Sequence, residues 1–464
     1  MSKAIWQVFI DFGIMAILLL IGQFCRAKIS IFQKALIPAA LIGGILALIF
    51  GPRGYGLLPL SPQFGVYAAV LIVVIFAATP IGDTPSKDKV NSKVIGGMFF
   101  NLTGIAILQY AVGMFLTIYV IQFIWPEVTD PFGLMMATGY YGGHGTAAAV
   151  GPVLESLGYA NMTDLGYTTA TVGIVGGILL GIVIIGWGTR KGYTHYVTSP
   201  EELPVELRTG LVPAEKQKAA GRGTISAICL DPMAFHLGLI LLASMLGYYS
   251  SAWFKVFTKA TINYGVPIPA FCLSLIWGLI INKMLNKTGA MKYVDRYSIS
   301  RIQGMSTDFL MVSGIGSLKL SVVLDYAGPL LIVCVAGFVV NWLWFIYIGG
   351  KSSFSDWFER NMMVWGHATG VAATGLLLQR VVDPDLKSRG IEDSGIADIF
   401  NRPLIIGYQV IPPIIMNLYP KSGGVIVTWA TFGVVAIMWL AAYKFGWWVP
   451  SMKLQKYDHS KDAA

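Results

Sequence analysis

Two glycine-flanked histidines lie in apolar surroundings at corresponding places in this 464-residue chain. The first patch reads Gly142-Gly143-His144-Gly145-Thr146 and continues into Ala147-Ala148-Ala149. The second reads Gly366-His367-Ala368-Thr369-Gly370 and continues to Ala373-Thr374. Glycine lets the backbone adopt strained angles and come close to a ligand. A helix broken at such a point leaves N–H and carbonyl groups unpaired, tolerated in a membrane only inside a protein-lined cavity. The start of the resuming half-helix offers N–H donors and a partial positive charge to an anion. Freed carbonyls, with the hydroxyls of Thr146, Thr369 and Thr374, are hard oxygen ligands for a small cation. One tip can thus hold both a carboxylate and a sodium ion. Each histidine can bond a substrate, bond a hairpin carbonyl, or serve as a structural donor. No nucleophile–histidine–carboxylate set surrounds either one, so the pattern points to a carrier and away from an enzyme.

The elements that position these patches follow from composition. The chain is 55% hydrophobic and 12% charged, where a soluble domain carries about 25% charged residues. Apolar runs near 5–24, 35–51, 64–80, 94–122 and 165–188 predict five spans in a first half. Runs near 233–254, 266–283, 303–318, 325–349 and 403–420 predict five in a second, and 424–447 adds one more. The stretch 5–24 lacks a basic leader and a cleavage site, and reads as a mature helix. With the N-terminus outside, 27 of the 33 Lys and Arg fall in inner segments, as the positive-inside rule requires. The net charge of +9 then reflects loops beside anionic lipid and not nucleic-acid binding. The polar stretch 189–232 is a cytoplasmic linker, and Ser251–Asn263 predicts a short interfacial helix.

Three landmarks recur in one order. Ile37-Pro38-Ala39 returns as Ile268-Pro269-Ala270, Ala77–Gly82 as Ser313–Ser317, and the first histidine patch as the second. Five spans per half is an odd number, so the halves enter the membrane from opposite sides. The expected fold is an all-α integral membrane protein, an inverted repeat of two five-helix halves (1–188 and 233–420). Re-entrant hairpins at 132–157 and 361–381, tipped near Gly142–Gly145 and Gly366–Gly370, complete the halves. Residues 421–464 add a transmembrane helix and a cytoplasmic tail.

Asp11 lies mid-span, where a carboxylate is either functional or solvated near the outer end. Asp83 and Asp308 flank the third spans, as helix caps or ligands. Lys319 can neutralise an anion or snorkel outward. Asn341 and Asn417 can coordinate an ion or bridge helices. Cys25, Cys229, Cys272 and Cys334 lack a pairing pattern, and Gly349-Gly350-Lys351-Ser352 fails as a phosphate loop because Phe345 stands where its first glycine belongs. Energy must therefore come from an ion gradient.

At the hairpin residues the chain resembles the bacterial glutamate:sodium symporter family. The likeness rests on Gly142–Thr146, Gly158-Tyr159-Ala160-Asn161, Thr168–Gly173, Ile37-Pro38-Ala39 with Gly43-Gly44, and Gly366-His367 with Gly370 and Ala373-Thr374. It departs at Gly375, where the family pattern has a proline, at Thr79–Asp83, and in its eleventh span. The resemblance implies electrogenic uptake of L-glutamate with Na⁺ across the inner membrane, a homodimer, and elevator-like movement of the hairpins against a scaffold. No other cofactor is implied. The expected substrate-facing residues are Gly143, His144, Gly145, Thr146, His367, Thr369, Gly370 and Thr374. Thr79, Gly142, Ser313 and Gly366 are the expected sodium-binding residues. A sodium-coupled carrier of another small carboxylate, or an ion channel, is the alternative.

Overall fold

The computed structural model describes residues 2–82, 91–197, 205–217, 219–263, 265, 268–384 and 387–457. Asp83 and part of the 189–232 linker lie outside them. The regular elements among the described residues are all helices, with no strand. The first half comprises α1 (Ser2–Lys28), α2 (Ala39–Phe50), α3 (Val66–Ala78), α4 (Ser92–Leu116), the short α5 (Met135–Tyr140), α6 (Gly143–Ser156) and α7 (Met162–Arg190). The second comprises α8 (Pro232–Ile262), α9 (Ala270–Lys287), α10 (Arg296–Gly316), α11 (Ala327–Tyr347), α12 (Trp357–Thr369), α13 (Ala372–Val382) and α14 (Gly390–Leu418). The final helix is α15 (Gly423–Lys444). Seven described helices (α1, α4, α7, α8, α11, α14 and α15) are long and apolar enough to cross a membrane. At 12 and 13 residues, α2 and α3 span only about 20 Å at 1.5 Å per residue, short of a full hydrocarbon core.

Proline sets the matching helix starts. Pro38 caps α2 at φ −62°, ψ 141°, and Pro269 caps α9 at φ −59°, ψ 141°. Proline needs no N–H there, and its fixed φ suits the helix entry. α1 packs on α2 as α8 packs on α9, while α2 and α9 pack on α10 and α3 respectively. Small residues set the crossings. A methyl at Gly44 would lie 2.8 Å from Ile315 Cβ, and one at Gly278 would lie 2.6 Å from the Ala77 carbonyl. These crossings build one body from α1–α3 and α8–α10.

The other body is organised by α4 and α7. α4 carries a polar ladder through its apolar surroundings. Asn101 Nδ2 donates to Asn361 Oδ1 at 2.8 Å, Thr103 Oγ1 to Asn401 Oδ1 at 3.0 Å, and Gln109 Nε2 to the Ala368 carbonyl at 2.7 Å and to Asn341 Oδ1 at 3.1 Å. All of these side chains are buried. The ladder thus ties α11, α12 and α14 to α4, and Asn341 is one of its helix bridges. On α7, Gly173 and Gly177 leave a groove for Thr369, and Trp365 Nε1 donates to the Gly177 carbonyl at 2.8 Å.

Three expectations resolve differently. The stretch Ser251–Asn263 does not turn aside as a separate interfacial helix. No glycine or proline interrupts 248–262, and α8 runs unbroken through 31 residues. Asp11 is buried and neither solvated nor on a cavity wall. Its carboxylate accepts from Gln7 Nε2 (3.0 Å), the Ser61 amide (2.9 Å) and the Tyr67 hydroxyl (2.8 Å), pinning the loop between α2 and α3 to α1. Lys319 spends its charge on Asp164, with Nζ 3.2 Å from Oδ2 and its amide donating to Oδ1 at 3.0 Å.

Replacing Asp11 by Ala would leave three part-buried donors without this acceptor, at a cost of about 1 kcal/mol or more. Asp11→Ala is therefore expected to lower the thermal unfolding midpoint of the purified protein in detergent. An unchanged midpoint would contradict the pinning role.

Candidate functional site

Both histidine-bearing stretches are broken helices. In the first, α5 stops at Tyr140, and the amides of Tyr141 and Gly142 both turn back to the Ala137 carbonyl at 3.1 Å. The chain resumes as α6 from Gly143, whose φ of +65° is left-handed and favours glycine. In the second, α12 runs to Thr369, Gly370 leaves the helix at φ −147°, ψ −97°, Val371 is extended, and α13 resumes at Ala372. The two tips touch. A methyl on Gly143 would collide with Val371 Cγ1 and lie 3.3 Å from the Gly370 carbonyl. The starts of α6 and α13 therefore face a common space.

That space is a cavity of about 520 Å³, within the usual range for small-molecule sites. Tyr141, Gly142, His144, Gly145 and Thr146 line it from the first tip, and His367, Val371, Ala372 and Ala373 from the second. α3 and α10 close it with Ile72, Thr79, Gln303, Thr307 and Leu310, and α14 adds Asp398, Asn401, Arg402 and Gln409. The cavity thus lies between the two bodies of the fold. His144 bonds Thr171 Oγ1 through Nε2 at 2.9 Å, and His367 stacks on Tyr141 with centroids 4.7 Å apart. Each keeps a buried Nδ1 without a partner among the described residues. Thr79 donates its hydroxyl to the Ile75 carbonyl at 2.9 Å and accepts from Gln303 Nε2 at 3.0 Å.

The remaining candidates sit behind the wall. Gly366 is inside α12 and not at the tip, and a methyl there would lie 2.6 Å from the Gly375 backbone of the facing arm. The same close approach explains glycine at 375. Thr369 fills the α7 groove with its hydroxyl on the Trp365 carbonyl at 2.8 Å, and Thr374 packs against Gly370. Ser313 is fully buried in α10, bonded to the Leu310 carbonyl at 3.1 Å.

Sequence reasoning missed Asp398, Asn401, Arg402 and Gln303. Arg402 lies directly before the span expected at 403–420, so its charge reads as belonging to the loop. In the fold, α14 starts at Gly390 and carries that charge about 18 Å along its axis. The available signal was the i, i+3, i+4 spacing of Asp398, Asn401 and Arg402, which places all three on one helix face.

Gly143→Val combines a disfavoured φ with a collision at the opposing tip. It is expected to abolish transport while the protein still elutes as a folded species from size exclusion. Wild-type transport by this variant would contradict the tip-to-tip contact.

Comparison with known proteins places the chain among relatives. The sequence profile described as "Sodium/glutamate symporter" matches residues 6–374. A sodium/glutamate symporter of Escherichia coli K12 is 23% identical over 368 residues, covering 77% of this chain and 83% of that protein. A sodium/glutamate symporter of Shigella flexneri matches to the same extent. The profile takes in both hairpin tips and most of the helices that wall the cavity, and on that match the chain belongs to the sodium/glutamate symporter family.

Proposed function

We propose that this protein is a secondary carrier that couples inward Na⁺ movement to the uptake of L-glutamate. The observation that carries the reading is the pair of helix starts, α6 and α13, opening onto one cavity where the broken tips meet. Helix starts present N–H donors and positive partial charge to a carboxylate. The tip carbonyls and the hydroxyls of Thr146 and Thr79 are suited to a sodium ion. The names of the two relatives support the same pairing of ion and substrate.

In this reading Gly142, His144, Gly145, Thr146, His367 and Thr79 contact substrate or ion. Gly143 and Gly370 shape the tips, Gly366, Thr369 and Thr374 hold them by packing, and Ser313 stays buried within α10. Ion binding stabilises the tip geometry that substrate needs, and the linkage is reciprocal. The tips are re-entrant, one from each face, in an inverted repeat. The recurrent proline caps and matching helix pairs support that arrangement. Alternating access follows from an elevator-like shift of the α4–α7 and α11–α15 body against the α1–α3 and α8–α10 body. The protein works as a multi-pass homodimer in the inner membrane, N-terminus outside and C-terminus cytoplasmic, an orientation supported by its Lys and Arg distribution.

Proteoliposomes test this directly. An inward Na⁺ gradient is expected to drive concentrative uptake of radiolabelled L-glutamate, and removal of Na⁺ to abolish it. Undiminished uptake on a proton gradient alone, with Na⁺ rigorously removed, would overturn the coupling.

A further inference from the structure

Resting on the proposed transport of an acidic amino acid, we infer that Arg402 is the residue that reads the side-chain carboxylate of the substrate. Asp398 is the positioning residue that holds the guanidinium ready. Among the described residues that line the cavity, Arg402 is the only one with a permanent positive charge. It sits mid-helix on α14, where a charge is costly and tends to serve a site. Its Nε and Nη2 donate to one oxygen, Asp398 Oδ2, at 3.2 and 3.1 Å. That uses one edge of the fork. Nη1 makes no hydrogen bond among the described residues, so the Nη1–Nη2 edge remains for a second, bidentate carboxylate. The arginine side chain is 34% exposed, whereas that of Asp398 is only 12% exposed.

Asp398 is itself fixed from behind. Asn401 Nδ2 donates to Asp398 Oδ1 at 2.8 Å and to the Tyr141 hydroxyl at 2.6 Å, and Asn401 Oδ1 accepts from Thr103 on the polar ladder. The chain Thr103–Asn401–Asp398–Arg402 therefore runs from the core of the hairpin-bearing body to the cavity surface. It also reaches the first tip through Tyr141. The fork is oriented before substrate arrives, which reduces the ordering cost of binding. The helix starts of α6 and α13 can take one carboxylate of any amino acid. Arg402 adds a requirement for a second one. Asp398, Asn401 and Arg402 lie beyond residue 374, outside the stretch that the family profile matches, so the assignment comes from the fold.

The test compares L-glutamate with L-glutamine, which differ only at the distal group. For wild type and Arg402→Gln, dissociation constants come from ligand-induced melting shifts in Na⁺, and selectivity from competition during proteoliposome uptake. The variant is expected to bind glutamate about a hundredfold more weakly, the scale of losing one partner of a desolvated charge pair. Its affinity for glutamine should change less than threefold, and stabilisation by Na⁺ alone should persist. Arg402→Lys should recover part of the glutamate affinity, since it restores charge without the fork. Glutamate affinity within threefold of wild type would overturn the inference. So would an equal loss for glutamate and glutamine, or loss of the Na⁺ shift, since each marks a structural role. Failure of the broader transport reading looks different, because wild type itself would then show no Na⁺-dependent glutamate uptake.

Discussion

Two interrupted helices that end against each other impose the constraint on which this structure depends. Breaking α5 from α6 and α12 from α13 strips backbone groups of their helical partners inside an apolar protein. That is tolerated only where protein, ion or ligand replaces those partners. The contact of Gly143 with Val371 puts both breaks at one place. It also explains why glycine and alanine (Gly142, Gly145, Ala372 and Ala373) stand at the tips beside Tyr141, His144 and His367. A bulky side chain at either break would separate the helix starts and remove the converging N–H donors.

The walls around that point differ in kind. On one side, hydrogen bonds from Asn101, Thr103 and Gln109 fix α12 and α14 to α4, and small residues of α7 seat Thr369 and Trp365. Each bond is specific and cannot be made one turn away. On the other side, hairpin one meets α3 and α10 mainly through apolar contact, as where Gly145 faces Ile72 and Leu310. Apolar contacts between small and branched side chains are non-directional and can be exchanged for similar ones after a shift. The polar side therefore favours movement as a unit and the apolar side favours sliding. This is the mechanical division that the proposed elevator-like shift calls for.

Much of this was legible in the sequence, for physical reasons. Apolar length reports the solvent, so a multi-helix membrane protein is readable from composition, and seven of the described helices are long and apolar enough to cross. The two matching helix starts were readable because Pro38 and Pro269 each suit a helix entry. The tips were harder. Glycine marks either a break or a close approach, and sequence does not separate the two. Gly142–Gly143 marks a break, whereas Gly366 packs against Gly375 and the break falls at Gly370. The α14 contribution was hidden because Asp398 and Arg402 resemble loop charges until the helix is known to begin at Gly390. Asp11 was ambiguous because its partners, Ser61 and Tyr67, are 50 or more positions away in sequence.

The central claim, that the second broken tip opens into the substrate cavity, is tested most directly by cysteine accessibility. Ala372→Cys, placed in a protein with Cys25, Cys229, Cys272 and Cys334 replaced, would be treated with a membrane-impermeant thiol reagent from each side. The account expects labelling from an aqueous face, slowed by L-glutamate only when Na⁺ is present. A labelling rate indifferent to both ligands, or reactivity only toward lipid-soluble reagents, would contradict it.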